Sequence, residues 1–263
     1  SRGRTPSPCL ICNKMIKMVL LADYDLARGC ERLATGHYAR ISFAAGFPEL
    51  RRGADPIKDQ SYFLAMLTRE MLRRLVLPLG SLTKNAVRDM LMNKGLPIYE
   101  ADESQELCFI RKGTYKDFLL SRGIVSQPGP IRDMAGGELG RHEGIEGFTV
   151  GQRRGIGISA AHPLYVIAID PANNVLIVGP KDATFTASIQ VAQFNLLRET
   201  PIRAGERFLV KVRSTSVPTL CTVESVMGST LAVNFHAPQP GVAPGQAAVL
   251  YAEGQVVGGG WIE

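Results

Sequence analysis

At Gln127-Pro128-Gly129-Pro130 the hydrophobic period of this chain changes, and no single layer of secondary structure accommodates both halves. Upstream the period is helical. Met15 to Ala27 carries apolar residues at helical spacing and stops at Gly29. Cys30 to Phe43 reads as a strand with a turn at Gly36. Gln60 to Leu77 predicts one amphipathic helix, with Leu64, Leu67, Met71 and Leu75 on one side and Arg69, Arg73 and Arg74 mostly elsewhere. Ser81 is the expected N-cap of a helix running to about Asn93, closed by Gly95 and Pro97, and Thr114 opens a short helix ending at Gly123.

Downstream the alternation is that of strands. Leu164 to Ile169, Val175 to Val178, Arg207 to Val212, Thr222 to Val226 and Ala247 to Tyr251 are separated by Gly, Pro, Asn and Asp. Such spacing suits small barrels or sandwiches. The expected class is therefore α/β plus all-β, in three units: a helical α/β piece over 1–126, a small β domain over 127–187 and a C-terminal β-barrel over 188–263. A length of 263 residues suffices for such cores, and the 45% apolar and 21% charged composition is that of a globular protein. No apolar run reaches the roughly 18 residues of a membrane span. The chain opens Ser-Arg-Gly-Arg-Thr-Pro, without the basic and then apolar pattern of a secretory signal, so a cytoplasmic protein is expected.

A net charge of +6 fits a polyanionic partner, because each neutralised phosphate releases counterions. Mild basicity also occurs in proteins that bind no nucleic acid. The five cysteines, Cys9, Cys12, Cys30, Cys108 and Cys221, are an odd and sparse set. That is not a secreted disulfide framework, and it points to a reactive or metal-binding subset, with Cys9-Leu10-Ile11-Cys12 the first place to look.

Several blocks, in order, resemble the tRNA-specific 2-thiouridylases (the MnmA type). They are Thr5-Pro6-Ser7-Pro8-Cys9-Leu10-Ile11-Cys12-Asn13, Ala34-Thr35-Gly36-His37-Tyr38-Ala39-Arg40, Lys58-Asp59-Gln60-Ser61-Tyr62-Phe63-Leu64 and Ser104-Gln105-Glu106-Leu107-Cys108-Phe109-Ile110. The β half continues with Gly140 to Gly144, Phe148-Thr149-Val150-Gly151-Gln152-Arg153-Arg154-Gly155 and Pro244-Gly245-Gln246-Ala247. The resemblance implies the C-terminal part of an adenine-nucleotide α-hydrolase-like (PP-loop) domain with tRNA-binding helices, then the two β units. It also implies the chemistry: ATP, with Mg2+, adenylates the uridine C2 oxygen, and a cysteine persulfide loaded by a sulfur-relay protein delivers sulfur. By this resemblance Cys12 is the nucleophile and Cys108 the persulfide carrier, ending as a disulfide.

The chemistry sets demands of its own. Sulfur delivery needs a thiolate, hence an exposed cysteine of lowered pKa, and a second thiol whose Cα lies within roughly 4.4–6.8 Å. Cys12 is expected directly before a helix carrying Lys14 and Lys17, both favourable to a thiolate, whereas Cys221 lies in an apolar alternating run. The plain alternative is that Cys12 and Cys108 are small buried apolar residues.

One segment departs from the family. Many relatives carry Asp where Cys9 stands and Asn where Ser7 stands. The segment faces the target base in the family, so Ser7, Pro8 and Cys9 are candidates for base contact. The substitution also creates Cys-x-x-Cys, and with Cys108 a three-thiol cradle for a four-iron four-sulfur cluster with one open iron. Persulfide and cluster chemistry both stay open on sequence; zinc lacks a visible fourth ligand.

The resemblance makes Gly36 a backbone contact of the adenine nucleotide; a turn glycine is the plain reading. Lys58, Asp59 and Gln60 match a tRNA-contacting triplet, against a solvated helix cap. Arg213 and Ser214 match a tRNA-touching dipeptide whose second residue is commonly aromatic. His37 is expected to be structural, and Gln152, Arg153 and Arg154 either hold a nucleic-acid backbone or fix a loop. The family's Ser-Gly-Gly-x-Asp-Ser loop, whose N–H groups cradle pyrophosphate, does not occur in these 263 residues; Gly-Gly appears only at Gly136-Gly137 and Gly258-Gly259-Gly260. Three readings follow: a piece of a longer enzyme, a chain completed by a separate nucleotide-binding subunit, or a tRNA binder that does not thiolate.

Overall fold

A computed structural model describes residues 3–97, 110 and 115–263. Its largest sheet has eight strands, in the order Ala247–Ala252, Arg207–Lys211, Thr219–Met227, Thr230–Pro240, Phe185–Leu196, Gln255–Ile262, Phe47–Arg52 and Ala39–Ala44. The first and sixth also pair, with Val249 opposite Gly259, so six strands close into a barrel and leave no edge between them. Alternate residues such as Val191, Val210, Val223, Val233 and Leu250 fill it. Closure brings backbones together where Gly258-Gly259-Gly260 stands. A Cβ on Gly258 would lie 2.3 Å from the Asn195 carbonyl oxygen, so this glycine run serves packing.

The central module is a four-stranded sheet ordered Glu138–His142, Gly129–Arg132, Val175–Gly179 and Tyr165–Asp170 over a core of Ile131, Ile156, Val166, Leu176 and Val178. In the N-terminal piece Leu33–Ala34 runs parallel to Leu75–Val76, the signature of an α/β layer. The observed class is thus α/β followed by all-β.

Several local expectations change. The strand expected over Cys30 to Phe43 is two short strands, and the second, Ala39–Ala44, forms a hairpin with Phe47–Arg52. The two-residue turn is Ala45-Gly46, both at positive φ, 47° and 84°. Alanine is a weak signal for such a turn, which is why the second limb escapes a sequence reading. The hairpin extends the barrel sheet, with Arg51 opposite Gln255. Leu50, Tyr62, Leu64, Leu67 and Leu72 accordingly share a core with Val249, Tyr251 and Val256 of the barrel.

Gln60 to Leu77 is not one helix. It is a 3-10 turn over Ser61–Leu64, a break, the helix Arg69–Arg74 and the strand Leu75–Val76. Asn195, on a barrel strand, donates its Nδ2 to the carbonyls of Ala65 and Leu67 at 2.9 and 2.7 Å, taking acceptors a continuous helix would use. Thr68 then restarts the chain as an N-cap, its Oγ1 accepting from the Met71 N–H. The next helix, Lys84–Asn93, is capped by Thr83 rather than Ser81, and Gly95 at φ 62° ends it. Tyr115–Ser121 is the short helix expected near Thr114, which itself lies outside the described residues.

The first helix begins earlier than expected. Pro8–Ile11 is α-helical and Cys12–Leu21 continues with i→i+5 bonding, before Ala22–Leu26 returns to α. Leu10, Asn13 and Met18 point inward, while Met15, Ile16, Leu20 and Tyr24 are exposed. Among the described residues no helix is long and apolar enough to cross a membrane.

Candidate functional site

Cys12 lies in the second turn of the first helix, not ahead of it. Pro8 causes the early start: its fixed φ and missing N–H suit the first helical position, with Ser7 before it. The positive end of the helix dipole therefore falls on Ser7 to Leu10 and not on the Cys12 thiol, because the effect fades within one turn. Cys9 and Cys12 are half-buried, and Cys30 is exposed. Cys221 is fully buried, and desolvation pushes its thiol up to about 12, so it carries no thiolate at neutral pH. Cys108 lies outside the described residues, as does the rest of its block except Ile110.

Asn13, 3% exposed, donates its Nδ2 to the Phe63 carbonyl at 3.1 Å and so ties the Cys12 helix to the Ser61–Leu64 turn. That turn follows Lys58, Asp59 and Gln60. Gln60 and Tyr38 bond reciprocally: the Gln60 N–H donates to the Tyr38 carbonyl at 2.8 Å, and the Tyr38 N–H donates to Gln60 Oε1 at 2.9 Å. Gly36, exposed, is two residues before Tyr38. Cys12, Gly36 and the Lys58–Gln60 triplet therefore share one hydrogen-bonded scaffold. Asn13 is a residue of this scaffold that sequence reasoning did not single out.

Within the triplet the side chains divide. Asp59 is 2% exposed in its side chain. Its Oδ1 accepts from the backbone N–H groups of Gly53 and Ser61, and its Oδ2 from Ser61 Oγ and, at 3.0 Å, from Arg52 Nε. Asp59 and Gln60 are thus occupied within the protein. Lys58 is half-buried, with its N–H held by Asp55 Oδ1. His37, beside Gly36, is buried, with Nδ1 2.9 Å from Thr35 Oγ1; burial, and secondarily the charge of Lys17, lowers its pKa to about 4, so it is neutral at physiological pH.

Arg213 and Ser214 lie in the loop after the barrel strand Arg207–Lys211, close to the scaffold, since Lys211 stands over the Tyr62 ring with its Nζ 5.9 Å from the centroid. The Arg213 guanidinium is half-buried and donates through Nη2 to the Val150 carbonyl at 2.6 Å, clasping barrel to central module. Among the described residues its Nε is buried without a hydrogen-bond partner. The Ser214 carbonyl accepts from Lys211 Nζ at 2.7 Å, and burial lowers the pKa of that lysine. Gln152 fixes its own loop, accepting from the Thr149 N–H and donating to the Arg154 carbonyl, while Arg153 and Arg154 are exposed.

The Ser7–Cys9 segment stands where the three pieces meet. Thr5 donates its N–H to the Pro244 carbonyl at 2.8 Å and its Oγ1 to Thr149 Oγ1 at 3.3 Å. A cleft of about 480 Å³ opens beside it, walled by Pro6, Pro8, Tyr115, Leu119 and Phe148. Among the described residues no three His, Cys, Asp or Glu side chains come together as a metal site; Cys9 and Cys12 meet no third ligand there.

Three family models match the chain in succession: a tRNA methyl transferase HUP domain over residues 1–112, a tRNA methyl transferase PRC-barrel domain over 116–180 and an aminomethyltransferase beta-barrel domain over 186–262. The chain is 43% identical over 264 residues to the tRNA-specific 2-thiouridylase MnmA of Rickettsia bellii, covering 99% of this chain and 72% of that protein. It is 44% identical to the MnmA proteins of Chloroflexus aurantiacus and Geobacter metallireducens, covering all of this chain and 74% and 72% of theirs. Identity of this level across both β modules and the Cys12 scaffold leaves one conclusion: the chain belongs to the tRNA-specific 2-thiouridylase family.

Proposed function

We propose that this chain is a sulfurtransferase that thiolates C2 of the wobble uridine of tRNA at the expense of ATP. The observation that carries the reading is that Asn13, next to Cys12, and Tyr38, two residues after Gly36, both bond to the segment Gln60–Leu64 that follows Lys58. Relatives bearing the 2-thiouridylase name match over nearly the whole chain, which supports it further. The working units are 1–126 for the catalytic α/β piece, 127–187 for the central β domain and 188–263 for the barrel. The protein acts in the cytoplasm.

The chemistry follows from two thiols. ATP transfers AMP to the uridine C2 oxygen with loss of pyrophosphate, converting a poor leaving group into a good one. Gly36, lacking a Cβ, lets the nucleotide approach the backbone. A relay protein loads Cys108 as a persulfide. Its outer sulfur bonds to C2 as the C2–O bond to AMP breaks. The Cys12 thiolate bonds to the Cys108 sulfur, the persulfide S–S bond breaks, and a Cys12–Cys108 disulfide remains for a reductant to reopen. The target base enters beside Ser7, Pro8 and Cys9, where the 480 Å³ cleft has room for a flipped nucleoside. Lys58 meets RNA phosphate, Asp59 and Gln60 brace it, and the Arg213–Ser214 loop presents the barrel to the same RNA.

The described residues supply no ligand set for Mg2+ or for an iron–sulfur cluster, and the steps above use this chain's own thiols. Mass spectrometry of tRNA digests tests the reading. Cys12→Ser and Cys108→Ser each abolish 2-thiouridine formation by the intact enzyme, while Cys221→Ser does not. Normal 2-thiouridine from the Cys108 variant refutes the two-thiol mechanism, and activity that tracks bound iron and needs Cys9 replaces it with cluster chemistry.

A further inference from the structure

The hairpin that extends the barrel sheet carries a like-charge pair: Arg40 lies directly opposite Arg51. Facing cations on one side of an antiparallel pair destabilise it unless something neutralises them. Arg51 is neutralised, because its Nη2 stands 2.9 Å from Glu49 Oε2 and its Nε bonds Ser42 Oγ and Glu49. Arg52, on the opposite face, pairs with Asp59. Arg40 is exposed, and among the described residues no carboxylate lies within ion-pair distance of its guanidinium.

Arg40 is nonetheless held. Its Nε donates to the Arg52 carbonyl at 2.8 Å. The base of its side chain is hemmed by Gly80, whose absent Cβ would stand 3.0 Å from Arg40 Cγ and 1.8 Å from the Ala39 carbonyl oxygen. A surface arginine ordinarily loses side-chain freedom when it binds an anion, and here both ends of the chain are already placed. What is left is a fixed fork of two NH2 groups with a full charge and, among the described residues, no partner. That is the geometry and electrostatics of a phosphate ligand.

The position agrees. Arg40 is four residues past Gly36 and on the strand led by Tyr38, which exchanges hydrogen bonds with Gln60. The Arg52 that holds Arg40 also holds Asp59. We infer that Arg40 binds a backbone phosphate of the tRNA, with Arg52, Asp59 and Gln60 as the brace that links it to the Lys58 segment. This inference rests on the tRNA reading above, and it assigns the phosphate to the RNA rather than to ATP.

The test is tRNA binding by the full chain, followed by fluorescence anisotropy from 50 mM to 500 mM KCl. Arg40→Met lowers the log–log salt slope by about one relative to the unsubstituted protein, so its loss of affinity is roughly five- to eightfold greater at 50 mM than at 500 mM salt. Arg40→Lys keeps the slope and recovers only part of the affinity, since a point charge replaces the fork. Arg51→Met, whose charge Glu49 already satisfies, leaves the slope within experimental error. Thermal melts of each variant separate loss of fold from loss of contact. An Arg40→Met protein with unaltered slope and affinity overturns the assignment, as does one that raises KM for ATP while binding tRNA normally. If the unsubstituted chain shows no salt-dependent tRNA binding, the tRNA reading itself falls with it.

Discussion

Asp59→Asn exchanges one atom of the brace and leaves its shape. The carboxylate accepts four hydrogen bonds, two on each oxygen, every one from a group that can only donate or here does donate. Whichever way the asparagine amide is turned, its NH2 faces donors: Gly53 and Ser61 N–H in one orientation, Arg52 Nε and Ser61 Oγ in the other. Breaking a buried pair costs about 3–5 kcal/mol. The Arg52 side chain is 31% exposed, so water recovers part of its charge and the cost falls to about 2–3 kcal/mol. For a chain of this size that lowers Tm by roughly 4–12 °C. Because the carboxylate faces inward and the isosteric amide keeps the brace in place while the protein is folded, tRNA affinity measured well below Tm changes less than about twofold. Differential scanning fluorimetry and anisotropy on the same sample decide it. A tenfold loss of affinity with an unchanged Tm refutes the reasoning, since it means the Asp59 carboxylate meets the RNA directly.

Cys221, at 0% exposure, reacts with a thiol reagent at pH 8 only after denaturation, whereas Cys30 reacts at once; prompt labelling of Cys221 by peptide mapping contradicts its burial. His37 binds its proton near pH 6.5 when unfolded but only near pH 4 when folded, so stability is complete above pH 6.5 and declines as pH falls, by up to ~3 kcal/mol at pH 4. Urea melts of the parent and His37→Asn proteins at pH 4 to 7 check this, and parallel pH dependence in the two would exclude His37 as the source. Asn195→Ala strands the Ala65 and Leu67 carbonyls and costs about 2–3 kcal/mol in the same melts; no change would mean the break at Thr68 is set locally. Gly80→Ala, which drives a Cβ into the Ala39 carbonyl, costs about 3 kcal/mol or more and displaces Arg40 with its strand; a stable variant with normal tRNA affinity would count against the close packing there.

Much of the architecture follows from period and punctuation along the chain. Strand alternation after Pro128 marks Tyr165–Asp170, Val175–Gly179, Arg207–Lys211, Thr219–Met227 and Ala247–Ala252 to within a few residues, because a strand's inward and outward positions are decided two residues at a time. It does not mark the barrel strands Phe185–Leu196, Thr230–Pro240 and Gln255–Ile262. Gly95 and Gly123 mark helix ends, since positive φ is a local demand that only a few residues meet. Cys12, Gly36 and Lys58 could be picked out from the ordered blocks they occupy. What the chain could not disclose locally is what distant groups decide. The break in the helix expected from Gln60 to Leu77 comes from Asn195, more than a hundred residues away, whose amide takes the carbonyls of Ala65 and Leu67. The turn at Ala45-Gly46 lacks a strong residue signal, and its hairpin is held by Gln255 of the barrel. Asp59 reads in sequence as a tRNA contact, or else a solvated cap, and its side chain is buried, because Arg52 and Gly53 arrive from the neighbouring strand. Arg213 reads as a tRNA contact by resemblance, and its guanidinium is half-buried against the Val150 carbonyl of another module. Local sequence determines which conformations are cheap; burial, partner and direction of a side chain are properties of the groups that tertiary structure brings to it.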